Sequence, residues 1–169
     1  MTQRILLVGM MGVGKTTVGR LVADKLGWRY LDSDTEVQQA TGMTVPELFA
    51  EKGEEAFREA EAEALRRACT ATEASVVSVA GGAVLRADNR ALIASAGLVV
   101  WLRARPATLA ARVGDGSGRP LLAGDPLETL TALNAVRAPF YAEVATITFD
   151  VDDLSAGDVA SRVQEQVTT

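Results

Sequence analysis

Gly9-Met-Met-Gly-Val-Gly14-Lys15-Thr16 fits the pattern G-x-x-x-x-G-K-[ST] close to the start of the chain. Glycines in such a run let the backbone curl so that successive N–H groups point at phosphate oxygens, and the helix that follows adds its positive N-terminal end. The pattern predicts a phosphate cradle at Gly12, Val13 and Gly14, with Lys15 reaching the β- and γ-phosphates. It also predicts the Thr16 hydroxyl on Mg²⁺ and Thr17 beside it. The apolar run Ile5-Leu-Leu-Val8 before the motif and a helical pattern after it supply the strand–loop–helix context the chemistry needs. The motif does not select a reaction, because GTPases, motors and small-molecule kinases all carry it. No N-K-x-D guanine-reading motif is present, and no D-x-x-G switch follows a strand.

Further groups fall where an α/β sheet would present them to the same crevice. Asp32-Ser33-Asp34 follows a second strand, and ligands in such sheets sit outside the carboxyl ends of the strands. The chain has no histidine, so Ser-His-Asp and Cys-His mechanisms are excluded, and a carboxylate is the natural acceptor of a hydroxyl proton. Asp34 is the candidate base, and Asp32 can reach Mg²⁺ through water. A solvated, helix-capping turn is the other reading of this tripeptide. Arg58 and Glu61 stand at i, i+3; they read either as a surface ion pair or as a carboxylate orienting a guanidinium for a bidentate grip on a ligand carboxylate. Gly81-Gly82 allows close backbone approach after a third strand, or is a plain turn. Arg119, in Gly118-Arg119-Pro120-Leu121-Leu122, follows the glycine-rich stretch 114–118 and suits a closing segment that brings positive charge to a transferring phosphoryl group. Arg137 in Arg137-Ala-Pro-Phe-Tyr141 serves either a ligand or the carbonyls of its own helix end.

The elements that must position these groups follow a βα alternation. Strands are expected at Ile5–Val8, Trp28–Leu31, Val76–Val79, Leu98–Leu102 and Ala145–Phe149. Their continuous apolar character predicts burial on both faces, hence a parallel sheet covered by helices. Helices are expected from Lys15 to Leu26, stopping at Gly27, and after Thr44-Val-Pro-Glu47, which has capping-box spacing. Others are expected from Glu54 to Thr70, from Pro106, from Asp125-Pro126 towards Tyr141, and from Ser155 onward.

Composition sets the outer bounds. At 169 residues, 48% apolar and 23% charged, the chain reads as one globular domain. A net charge of −5 and a pI of about 4.8 disfavour nucleic acid and anionic membranes as partners, so an anionic ligand must be held by locally placed Arg and Lys. Cys69 is the single cysteine, which fits a reducing compartment and a buried filler role. The N-terminus lacks a signal-peptide pattern and no apolar run approaches the length of a membrane span, so a cytoplasmic location is expected.

Taken in order along the chain, these motifs resemble the shikimate kinase family. They are Gly9–Thr16, Asp32-x-Asp34, Phe57-Arg58-x-x-Glu61, Gly81-Gly82-Ala83-Val84, Arg119-Pro120-Leu121-Leu122 and Arg137-Ala-Pro-x-Tyr141, and the match runs from residue 5 to about 150. The resemblance implies a five-stranded parallel sheet flanked by helices, a P-loop fold of the nucleoside-monophosphate-kinase type. It implies a substrate-binding region at about 33–61 and a lid at about 113–125. It further implies that Arg58, Arg137 and the backbone at Gly81 and Gly82 bind the shikimate carboxylate, with Glu61 supporting Arg58. Asp34 would hold the ring hydroxyls and take the proton, Thr16 and Asp32 would place Mg²⁺, and Lys15 and Arg119 would stabilise the γ-phosphoryl charge of ATP. Arg112 would lie near adenine. A monomer is expected. Two departures stand out: Ala80 replaces the first of three glycines usual in the family, and the segment 151–156 is acidic and lacks arginine. The alternatives are another small-molecule kinase, gluconokinase-like, and a nucleotide-binding module without catalysis.

Overall fold

The structure, a computed structural model, describes residues 3–114 and 124–168. Its sheet has five parallel strands in the order β2-β3-β1-β4-β5. They are β1 (Arg4–Val8), β2 (Arg29–Asp32), β3 (Ser75–Ser78), β4 (Leu98–Arg103) and β5 (Ile147–Asp150). Every residue of β1 and β3 is buried, as expected of central strands with helices on both faces. The register pairs Leu7 with Ser78 and with Val100, and Asp32 with Ser78, so the loops after β1, β2 and β3 leave the sheet side by side.

The helices are α1 (Lys15–Leu26), α2 (Ser33–Thr41), α3 (Val45–Thr70), α4 (Ala87–Ala96), α5 (Pro106–Val113), α6 (Pro126–Val144) and α7 (Ala156–Thr168). Helix α1 packs against α7, while α4 packs against α3 and α6. Capping chemistry sets several of the starts. The Thr44 hydroxyl accepts from Glu47 N while the Glu47 carboxylate accepts from Thr44 N, which closes the expected box. Asp125 caps α6 and Pro126 takes its first turn. Gly27 ends α1 in a left-handed conformation.

The expected strands are present with bounds moved by one or two residues: β2, β4 and β5 end one residue later than expected, β1 begins one earlier, and β3 lies one residue earlier. Helix α3 unites the two helices expected at 44 and 54; Gly53, at φ 86° and ψ 175°, breaks it between them. Helix α2 falls at the start of the substrate-binding region implied at about 33–61, whereas no motif marks α4. Asp32 is itself the α2 cap, accepting from Asp34 N and Thr35 N, so the residues read as a turn are the first turn of a helix. Helix α4 begins at Arg86 without a side-chain cap, which removes the usual start signal.

One apolar core fills both sides of the sheet, from Leu6 and Leu7 to Leu102, Leu130 and Tyr141. A second, small cluster of Val37, Leu48, Phe57 and Ala64 ties α2 to α3. The segment expected to bind substrate thus has an apolar seat of its own.

Candidate active site

The phosphate loop has the backbone its sequence requires. Gly9, Gly12 and Gly14 have φ of 144°, 83° and 104°, a region that side-chain-bearing residues rarely adopt. Nothing lies within 4 Å of where a Gly14 Cβ would sit, so the cradle is open at the point where α1 presents its N-terminus. Lys15 Nζ spans the loop and donates to the carbonyls of Gly9 at 2.6 Å and Met10 at 3.0 Å.

Beside it, the Thr16 hydroxyl donates to Asp32 Oδ2 at 3.3 Å. The Tyr30 hydroxyl lies 3.0 Å from the same oxygen and 2.9 Å from Ser78 Oγ, and Ser78 donates to the Lys15 carbonyl at 3.0 Å. Burial is the main cause that raises the Tyr30 phenol above its ordinary value, so it is protonated at neutral pH. Thr16 Oγ1 and Asp32 Oδ2 are hard oxygens at the base of the phosphate loop. That donor set fits Mg²⁺, which takes few protein ligands and completes its shell with water and phosphate oxygens.

On the opposite wall two arginines converge on one turn from different helices. Arg58, on α3, donates to Glu61 Oε1 at 3.0 Å, with Glu54 3.6 Å away. A Cβ on Gly82 would overlap the Arg58 guanidinium, so glycine there lets the arginine lie against the backbone. Arg137, on α6, is 2% exposed, and a Cβ on Gly81 would stand 3.3 Å from its Nη1. Arg137 Nε and Nη1 are buried without a hydrogen-bond partner among the described residues. Glu61 is 1% exposed, so the Arg58 pair is not a surface pair; burial raises the Glu61 carboxyl, and Arg58 offsets part of the rise. Asp34 lines the same space from the first turn of α2 and adds a like charge felt at Glu61.

Ala80 occupies the place of the usual glycine without strain, because no described non-glycine residue has a positive φ. Its N–H donates to Ser33 Oγ at 2.9 Å, tying the end of β3 to α2.

These groups border one cleft of about 560 Å³. It brings together Gly12, Gly14, Lys15, Thr16 and Thr17 with Asp32, Asp34, Arg58 and Glu61, and with Gly81, Gly82, Arg112 and Arg137. Val13 borders a smaller adjoining cavity of about 300 Å³, with Thr17, Arg112, Val151 and Leu154. Arg112 joins the two, donating to the Val13 carbonyl at 3.2 Å and the Val151 carbonyl at 3.5 Å. Arg119 and most of the expected lid at 113–125 lie outside the described residues.

Three participants were not singled out from sequence. Tyr30 and Asp32 are two apart on a strand and share a face, which is the signal that could have found Tyr30. Ser78 is a polar residue inside an otherwise apolar strand. Tyr141 closes the Arg137 motif; it is fully buried, and its hydroxyl donates to the Gly81 carbonyl at 2.6 Å.

A parallel sheet of this order, a phosphate loop after β1 and an arginine-lined acceptor wall define a P-loop kinase of the nucleoside-monophosphate-kinase type. The shikimate kinase family model matches residues 11–168. Shikimate kinase of Symbiobacterium thermophilum is 47% identical over 166 residues, covering 96% of this chain and 95% of that protein. Shikimate kinase of Moorella thermoacetica is 47% identical over 98% of this chain and 94% of its own. Among solved structures, shikimate kinase from Acinetobacter baumannii in complex with shikimate aligns with a TM-score of 0.94 at 37% identity, covering 99% of this chain and 93% of that one. The chain belongs to the shikimate kinase family.

Proposed function

We propose that this chain transfers the γ-phosphate of ATP to the 3-hydroxyl of shikimate, as one kinase domain acting as a monomer in the cytoplasm. The observation that carries the acceptor assignment is Arg137. It is a buried guanidinium with two nitrogens unpaired among the described residues, facing a glycine turn that a second arginine approaches from the other side. Burying guanidinium N–H groups without acceptors is costly, and a ligand carboxylate supplies acceptors. Shikimate has one carboxylate and a ring of hydroxyls, and the solved complex of the Acinetobacter baumannii relative with shikimate supports this choice.

In this reading Arg58 and Arg137 grip the carboxylate, with Glu61 orienting Arg58 and the backbone of Gly81 and Gly82 beneath it. That anchor points the hydroxyls at Asp34, which holds them and accepts the proton of the attacking one. Lys15 leaves the Gly9 and Met10 carbonyls for the β- and γ-phosphates, which lie at the N-terminal end of α1. Thr16 and, through water, Asp32 would hold Mg²⁺, which would supply positive charge to offset that of the phosphates. Arg112 lies against the base in the smaller cavity. Arg119, assigned to the γ-phosphoryl charge, rests on the family resemblance alone. Positioning and charge stabilisation carry most of the rate in such a transfer.

A coupled assay of ADP release tests this, with MgATP and shikimate beside gluconate, quinate and nucleoside monophosphates. Turnover with shikimate alone is expected, and Lys15→Ala should cut it by orders of magnitude. ATP binding without shikimate turnover would overturn the acceptor assignment.

A further inference from the structure

Five groups form a ring of close polar contacts, closed through the backbone between two consecutive residues of the phosphate-loop helix. From the Lys15 carbonyl the ring passes to Ser78 Oγ at 3.0 Å, to Tyr30 Oη at 2.9 Å, to Asp32 Oδ2 at 3.0 Å and to Thr16 Oγ1 at 3.3 Å. It joins the first turn of α1 to β3, to β2 and back to α1. Tyr30 is the one link that reaches both strands. A phenol has a single proton, and of the oxygens within reach the Asp32 carboxylate is the charged acceptor, so the stronger bond is the one to Asp32. The Asp32 carboxylate is then held at both ends. Oδ1 accepts from Asp34 N at 2.9 Å and Thr35 N at 3.4 Å, and Oδ2 accepts from the Tyr30 and Thr16 hydroxyls.

Packing fixes the phenol as firmly as hydrogen bonding does. Gly19 of α1 abuts the ring, since a Cβ there would come within 2.6 Å of Tyr30 Cε1 and 3.0 Å of Ser78 Oγ. The Arg20 guanidinium lies 5.5 Å from the ring centroid. The ring is therefore flanked by α1 on the side of Gly19 and Arg20.

We infer that Tyr30 is a positioning residue for the metal half of the site: its hydroxyl sets the Asp32 carboxylate at the reach and angle that Thr16 and a metal-bound water require. This rests on the assignment of Thr16 and Asp32 to Mg²⁺. Groups that orient metal-holding side chains typically change metal affinity by roughly 10–100-fold when removed. Tyr30 bonds to neither substrate, so its effect falls on the metal rather than on shikimate.

The test is calorimetric titration of the full chain with ADP, once with excess Mg²⁺ and once with EDTA. In the parent, Mg²⁺ tightens ADP binding, and Asp32→Asn loses most of that gain. Tyr30→Phe keeps the ring against Gly19 and removes only the hydroxyl. It is expected to weaken binding with Mg²⁺ roughly tenfold and to leave binding in EDTA unchanged. A Tyr30→Phe protein that keeps the full Mg²⁺ gain overturns the inference, as does one whose ADP binding is weakened by the same factor in EDTA as with Mg²⁺. If Asp32→Asn also keeps the gain, the metal assignment itself fails and the inference falls with it; loss in Asp32→Asn alone refutes only the role of Tyr30.

Discussion

The Tyr141 hydroxyl donates to the Gly81 carbonyl at 2.6 Å, while Arg137, one turn earlier on α6, brings its Nη1 to the same glycine. One helix thus holds the turn in place and supplies one of its two guanidinium groups. Tyr141→Phe leaves the Gly81 carbonyl without that donor. The expected result is a roughly tenfold rise in KM for shikimate with KM for ATP unchanged, read from steady-state kinetics. Burial is the first cause that pushes the Tyr141 phenol up to about 12 from 10.0. Its folded pKa lies above its unfolded one, so its contribution to stability is full below about pH 10 and is lost as pH rises through about 12. Alkaline unfolding should show that loss in the parent and not in Tyr141→Phe.

Arg137 has two buried nitrogens, Nε and Nη1, without a hydrogen-bond partner among the described residues, although its charge is felt at Glu61 and Tyr141. Without shikimate its buried Nε and Nη1 lower the stability of the fold, so Arg137→Met should match or exceed the parent in thermal denaturation without substrate. Shikimate alone should raise the melting temperature of the parent and not of the variant. A variant that melts well below the parent would show that the arginine holds the fold, not the acceptor.

Asp34→Asn separates binding from chemistry. The cap on α2 comes from Asp32 accepting the Asp34 N–H, a bond the substitution keeps. Turnover is expected to fall by roughly 10²–10⁴ with ATP binding preserved, measured by single-turnover phosphate transfer and by nucleotide titration. A loss of less than about tenfold would reject Asp34 as the base.

The sheet, its flanking helices and the nucleotide loop were legible because their signals are local. Continuous apolar runs mark β1, β3 and β4, and Gly14 and Gly27 bracket α1 residue for residue. Helix α4 was missed because Arg86 stands where a capping Ser, Thr, Asp or Asn would announce it. At the site, the residue types were readable but their meeting was not. Arg58 and Glu61 look like a surface pair until the fold buries Glu61. Tyr30 acquires its role only when β3 brings Ser78 beside β2 and Gly19 lets α1 close over the ring. Ala80 could not be judged from its type alone, since whether a methyl fits there depends on a backbone angle fixed by neighbouring strands.

Asp152 ties the acidic segment after β5 to the helix that carries Arg112. Its Oδ1 accepts from the Thr108 hydroxyl at 2.7 Å, from Arg105 N at 3.0 Å and from Arg105 Nε at 3.2 Å. The Thr108 hydroxyl first, and then the Arg105 N–H, hold the Asp152 carboxyl down at about 2, below its ordinary 3.8. The folded pKa lies below the unfolded one, so the stabilisation is present above about pH 3.8 and is lost as pH falls through about 2. Solvent reaches this carboxylate, which keeps the gain small at neutral pH. The larger effect is on shape: the tether holds Val151 and Leu154 at the rim of the smaller cavity, beside Arg112. Asp152→Ala should therefore raise KM for ATP roughly fivefold and leave KM for shikimate unchanged. It should also flatten the fall in melting temperature between about pH 4 and pH 2. An unchanged KM for ATP would mean that the segment 151–154 keeps its place without the tether, and that the base is held by Arg112 and the phosphate loop alone.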